Sequence, residues 1–183
     1  MCGIAGCYGF GDLALLRRMT DAIAHRGPDG EYHFQDGPVL LGNRRLAIMD
    51  VSDGHQPMSN GDESITAIFN GEIYNFLDLR KELVCKGIPL KTHCDTEVIP
   101  HLYEIYGPQF VQRLEGIFSI ALWDRRKQTL YLFRDPIGVK PLLFAQNGRS
   151  LAFGSEAKSI LASGILLAEL DPIALHQSMN LRY

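Results

Sequence analysis

The run Ile117-Phe118-Ser119-Ile120-Ala121-Leu122-Trp123 is followed by Asp124-Arg125-Arg126-Lys127-Gln128 and then by Thr129-Leu130-Tyr131-Leu132-Phe133-Arg134. Two apolar runs joined by a short charged turn read as a hairpin, so strands 117–123 and 129–134 are antiparallel. Successive side chains of a strand point to opposite faces, and in Leu130-Tyr131-Leu132-Phe133 both alternating sets are apolar. Such a strand is covered on both sides, by a second sheet or by helices. A layered α+β sandwich satisfies that requirement.

Working outward, a second hairpin turns at Asn147-Gly148. Towards the N-terminus, a strand is predicted over 3–10. A helix follows from a cap at Asp12, with Leu16, Met19, Thr20 and Ile23 at helical spacing, and stops at Gly27-Pro28, where Gly27 suits a left-handed cap. Strand-like runs cover 39–48 and 65–69. Helices are predicted over 76–86 and after Asp95, the second starting late or kinking at Pro100. A last helix opens with Pro172 in its first turn and runs out at Tyr183, as if a longer chain had been cut. No repeat, low-complexity stretch or linker divides residues 1–183, which read as one domain.

Composition narrows the function. The 183 residues can bury one ordinary core, and 46% apolar with 21% charged residues match a folded domain. Lys+Arg 18 against Asp+Glu 21 leaves a net charge of −3, with no electrostatic footprint for a nucleic acid. No stretch approaches the ~20 apolar residues of a membrane span. The N-terminus lacks the basic and apolar regions of a secretory signal, so a cytoplasmic protein is expected. Cys2, Cys7, Cys85 and Cys94 are then thiols, and their spacings match no zinc site.

Cys2 is the first candidate for chemistry. Removal of Met1 would leave a thiol and an α-amine on one residue, a nucleophile carrying its own base. The two groups titrate near ~8.5 and ~8, close enough to neutrality for both roles. The bland alternative is a small buried residue opening a strand. Attack on an amide creates an oxyanion, and Asn70-Gly71 after a strand offers a side-chain amide and an open backbone N–H, although Asn-Gly is also a common turn. For an amino-acid substrate, Arg45 suits the α-carboxylate and Asp95 the α-ammonium. Arg45 could equally belong to a solvated pair with Arg44, and Asp95 could merely cap a helix. His25-Arg26-Gly27-Pro28-Asp29 reads as a helix ending. The Gly3-x-x-Gly6-x-x-Gly9 spacing lacks the order of a nucleotide loop, and His93, Cys94, Asp95 and His101 read as capping and solvation rather than metal ligation.

Met1-Cys2-Gly3-Ile4, His25-Arg26-Gly27-Pro28-Asp29, Arg45-Leu46-Ala47-Ile48, Asn70-Gly71-Glu72-Ile73-Tyr74-Asn75, Cys94-Asp95-Thr96-Glu97 and Arg134-Asp135-Pro136-Ile137-Gly138 together form a family pattern. Over 1–183 the chain resembles the glutaminase domain of class II glutamine amidotransferases of the glutamine-hydrolysing asparagine synthetase type. The resemblance implies an N-terminal-nucleophile hydrolase fold, a four-layer αββα sandwich of two antiparallel sheets. It implies Cys2 as nucleophile with its α-amine as base, and Asn70 with the Gly71 N–H as oxyanion hole. Arg45, Leu46, Ala47, Ile48 and Met49, with Glu72 and Asp95, would hold L-glutamine, and Arg26 would support the nucleophile. No cofactor or metal is implied for this domain. ATP and Mg belong to a separate ammonia-accepting synthetase domain, whose Ser-Gly-Gly-x-Asp-Ser loop has no counterpart here. Two departures stand out: Pro100 behind Asp95, and Asn43 where a histidine or another long polar residue is expected. The competing expectations are a catalytically silent glutamine-binding or interaction module, or an amide hydrolase of the same fold with another substrate.

Overall fold

The hairpin that decides the fold on paper forms the outer half of one of two sheets in the computed structural model, which describes residues 2–47 and 54–181. In chain order the elements are β1 (Gly3–Tyr8), α1 (Leu13–Asp21), β2 (Gly30–Asp36), β3 (Val39–Arg45), β4 (Met58–Ser59), β5 (Ile65–Ile73), α2 (Phe76–Cys85), α3 (Val98–Tyr106), β6 (Gly116–Asp124), β7 (Thr129–Arg134), β8 (Leu143–Asn147), β9 (Ser150–Gly154), α4 (Ala157–Ala162) and α5 (Pro172–Leu181). One sheet has the order β2-β3-β1-β9-β8 and the other β4-β5-β6-β7, with every pairing antiparallel.

Strand periodicity sorts the apolar side chains into three layers. Ile4, Val39, Leu41, Ile68, Ala121, Trp123 and Phe153 fill the space between the sheets, and Leu130 and Leu132 of β7 pack against them. Their neighbours point outward. Ala5, Cys7 and Leu40 meet Leu15, Leu16 and Met19 of α1 and Ile160 of α4. On the opposite outer face Phe69, Phe118, Ile120 and Leu122 meet Leu79 and Leu83 of α2 and Leu102 and Tyr103 of α3, with Tyr131 and Phe133 packed alongside. The order is therefore helix, sheet, sheet, helix, and both faces of β7 are partly covered, its apolar side chains being half-buried.

Local chemistry explains most boundaries. The Asp12 carboxylate accepts from the Leu15 N–H at 2.8 Å and starts α1. Pro100 sits in the first turn of α3, where a missing N–H costs nothing, because a separate 3-10 turn over Asp95–Glu97 precedes the helix. The late start holds and no kink is needed. Five expectations need correction. The helix that starts at Asp12 ends at Asp21, with a separate 3-10 turn over Ala24–Arg26 before Gly27, and the strand expected over 39–48 ends at Arg45. The first strand ends at Tyr8 rather than Phe10, because Gly9 turns with φ 81°. Gly27 has φ −149° and is no left-handed cap; a Cβ there would lie 2.3 Å from the Arg44 carbonyl carbon, so close packing demands glycine. Asn70-Gly71 lies inside β5, which continues to Ile73 instead of ending at Phe69. The strands β2 and β4 and the short helix α4 escape a periodicity reading, being half-buried and polar, two residues long, and less than two turns long.

Candidate active site

Alternation carries Cys2, Arg45, Asn70 and Glu72 to one place. Cys2 shares a face with Ile4, Arg45 with Leu41, and Asn70 and Glu72 with Ile68, and that face is the one between the sheets. Where the apolar filling stops, these residues line a pocket of about 100 Å³ together with Leu46, Gly71, Asp95 and Lys140. A larger cleft of about 700 Å³ opens between β7 and β8, lined by Tyr8, Leu130, Leu132 and Leu142 among others, and none of its lining residues belongs to the predicted set.

Cys2 Sγ lies against the Leu46 backbone, 3.4 Å from its N and 3.7 Å from its O. Arg26 Nε donates to the Cys2 carbonyl at 3.1 Å, so Arg26 is tied to the residue itself and does not simply end a helix. Asn70 is 1% exposed, and its Nδ2 has no acceptor among the described residues. A buried donor left open is costly unless something else fills the role. Beside it Gly71 has no room for a side chain, since a Cβ would sit 2.2 Å from the Ile117 carbonyl oxygen.

Two carboxylates share the pocket. Asp95 Oδ2 accepts the Ile73 N–H at 3.0 Å, which anchors the 3-10 turn to β5 rather than capping a helix. Burial pushes the Asp95 carboxyl above its ordinary range, and burial with the Asp95 charge does the same to Glu72, while Lys140 opposes the rise. Arg45 is buried in the pocket wall, so the solvated-pair reading fails. Its neighbour Arg44 bonds Asp21, Glu31 at 3.2 Å and the Thr20 carbonyl. Two thiols are buried outright, and burial pushes Cys7 up to about 12 and raises Cys94, holding both protonated.

Of the predicted residues, Cys2, Arg45, Leu46, Asn70, Gly71, Glu72 and Asp95 meet in the pocket and Arg26 stands directly behind it. Ala47 does not line it, its N–H bonding Asp29 Oδ2 at 2.9 Å, and Ile48 and Met49 lie outside the described residues. Sequence reading missed Lys140 and Gln56. Lys140 is delivered by the Asp135 turn: Asp135 Oδ1 accepts from Val139 N at 2.9 Å, and its Oδ2 from Lys140 N at 3.1 Å and Phe118 N at 3.2 Å. The Asp-Pro start of that turn was a usable signal. Gln56 Oε1 accepts from Phe69 N at 2.7 Å and Asn43 Nδ2 at 3.2 Å, so the unexpected Asn43 helps hold the pocket wall. No local pattern announces such a clamp.

The two-sheet αββα sandwich thus brings a thiol beside its central strand, a buried amide and an acidic pair into one pocket. The sequence profile of the glutamine amidotransferase domain family matches residues 1–183, and the chain belongs to that family. It is 40% identical over 190 residues to asparagine synthetase [glutamine-hydrolyzing] 1 of Bacillus subtilis, covering 100% of this chain and 30% of the relative. It is 43% identical over 147 residues to asparagine synthetase [glutamine-hydrolyzing] 1 of Arabidopsis thaliana, covering 78% and 25%. The chain thus spans about a third or less of these relatives' length. Glutamine phosphoribosylpyrophosphate amidotransferase from B. subtilis superposes with TM-score 0.75 at 21% identity, over 89% of this chain and 44% of that one. The likeness shows that the two chains share a fold.

Proposed function

We propose that the domain hydrolyses the side-chain amide of L-glutamine to glutamate and ammonia. The observation that carries this reading is the buried Asn70 Nδ2, without an acceptor among the described residues, in the same pocket as the Cys2 thiol. With Met1 removed, the Cys2 α-amine takes the thiol proton and the thiolate attacks the amide carbon. Asn70 Nδ2 and the Gly71 N–H hold the oxyanion. The amine returns the proton to the leaving nitrogen, ammonia departs, and a γ-glutamyl thioester remains. Water, deprotonated by the same amine, cleaves the thioester and releases glutamate through the same hole. Arg45 suits the α-carboxylate as a planar fork, and Glu72 and Asp95 suit the α-ammonium. Leu46 lines the pocket, and the substrate lies against it.

The domain needs no cofactor or metal. In a cytoplasmic, asparagine synthetase-like ligase its ammonia passes to a further domain that uses ATP and Mg to activate a carboxylate acceptor such as aspartate. The length of the relatives supports such a further domain. Among the described residues no helix is long and apolar enough to cross a membrane.

Glutamate release by the processed chain tests the reading. Turnover in the wild type with none in Cys2→Ala is expected. Glutamine binding without turnover would favour a silent binding module instead.

A further inference from the structure

Glu156 follows β9 and caps α4, with φ −142° and ψ 147° at the N-cap, yet its side chain makes no capping bond. A residue at that position ordinarily satisfies a first-turn N–H. Glu156 instead turns towards the N-terminus of the chain: its Oε1 accepts from Arg26 Nη1 at 2.9 Å, and Lys158 Nζ lies 3.1 Å from its Oε2. Arg26 in turn donates through Nε to the Cys2 carbonyl at 3.1 Å. The residue before Glu156 completes the attachment. Ser155 Oγ accepts from Ile4 N at 3.0 Å, and Ser155 N donates to Ile4 O at 2.8 Å. Gly3 leaves the space this needs, since a Cβ there would lie 3.2 Å from Arg26 Cδ.

We infer that Glu156 is a positioning residue for Cys2, acting through Arg26 and so fixing the plane of the Cys2 peptide and the direction of its thiol and amine. The inference rests on the glutaminase reading of Cys2. A flexible guanidinium has many rotamers, and one oxygen of Glu156 selects the rotamer that reaches the Cys2 carbonyl. Neither Arg26 nor Glu156 lines the pocket that holds Cys2, Glu72 and Asp95, so the role is separate from glutamine affinity. Misplacing a reacting group by about an ångström costs up to ~100-fold in rate.

The test is glutamine kinetics on the full processed chain for Glu156→Ala, Glu156→Gln, Arg26→Ala and the double variant Arg26→Ala/Glu156→Ala. Glu156→Ala is expected to lower kcat about tenfold or more with KM within about twofold. Glu156→Gln, whose amide oxygen still accepts from Arg26, should recover most of that loss. In the Arg26→Ala background, adding Glu156→Ala should cost less than about twofold further, because the route through Arg26 is already gone. Unchanged kcat in Glu156→Ala, a loss appearing chiefly in KM, or fully additive losses in the double variant would overturn the inference. A fully processed wild type that does not hydrolyse glutamine would overturn the glutaminase reading first, and this role with it.

Discussion

Asn70 and Asp95 make opposite demands on a substrate, and each can be tested alone. The Asn70 amide has an open donor in a buried wall, so its value appears when negative charge develops beside it. Asn70→Ala is expected to lower kcat by about 10²–10³ with little change in glutamine KM. An equal loss in KM would assign it to ground-state binding. Asp95→Asn should instead weaken glutamine by ~1.5–3 kcal/mol, read as a rise in KM, with kcat largely kept. Because burial raises Asp95 and Glu72, both take up protons at higher pH than ordinary carboxylates, whose reference values here are 3.8 and 4.5. An ammonium binds only the ionised form, so glutamine KM should climb on acidification from above that range. A KM that stays flat down to pH 4 would contradict the acidic-pair assignment.

At the scale of elements, the motifs were legible where one strand carries its own message, and opaque where two elements meet. Cys2, Arg45, Asn70 and Glu72 follow from period-two alternation once the strands are known. Asn70-Gly71 looks locally like a turn, and only its pairing with Ser119 and Phe118 of β6 keeps it in a strand. Gly27 reads as a helix cap because glycine so often is one, but its reason is the Arg44 backbone across the gap. Gln56 arrives through bonds to residues distant in sequence, which no periodicity encodes, whereas Lys140 is placed by the local Asp135 turn. Gly71→Ala follows from the same pairing. A methyl 2.2 Å from the Ile117 carbonyl must part β5 from β6, so the variant should lose both melting temperature and turnover. Retained stability with intact activity would show that the strand pair yields more easily than its geometry suggests.

Over the whole molecule, the layer between the sheets holds the halves of the pocket together, since β1 and β3 carry Cys2 and Arg45 on one side and β5 carries Asn70 on the other. Phe153 is fully buried in that layer, and Phe153→Ala is expected to cost about 3–5 kcal/mol in denaturant unfolding. Acid stability adds a second handle. Burial raises the Glu156 carboxyl, but bonds from Arg26, Lys158 and His25 outweigh it and bring it from 4.5 to about 2. Its folded pKa is depressed, so its contribution is present above 4.5 and lost as pH falls towards about 2. Glu72 and Asp95 are raised and act in the opposite sense. The drop in melting temperature between pH 5 and 3 should therefore be shallower in Glu156→Gln than in the wild type.

The most direct test of the central claim is intact mass before and after incubation with a diazo-ketone norleucine, an electrophilic glutamine analogue, with peptide mapping of the adduct. Loss of Met1 and a single adduct on Cys2 that excess glutamine prevents are expected. An adduct elsewhere, or none on a chain whose Met1 has been removed, would rule out Cys2 as the nucleophile.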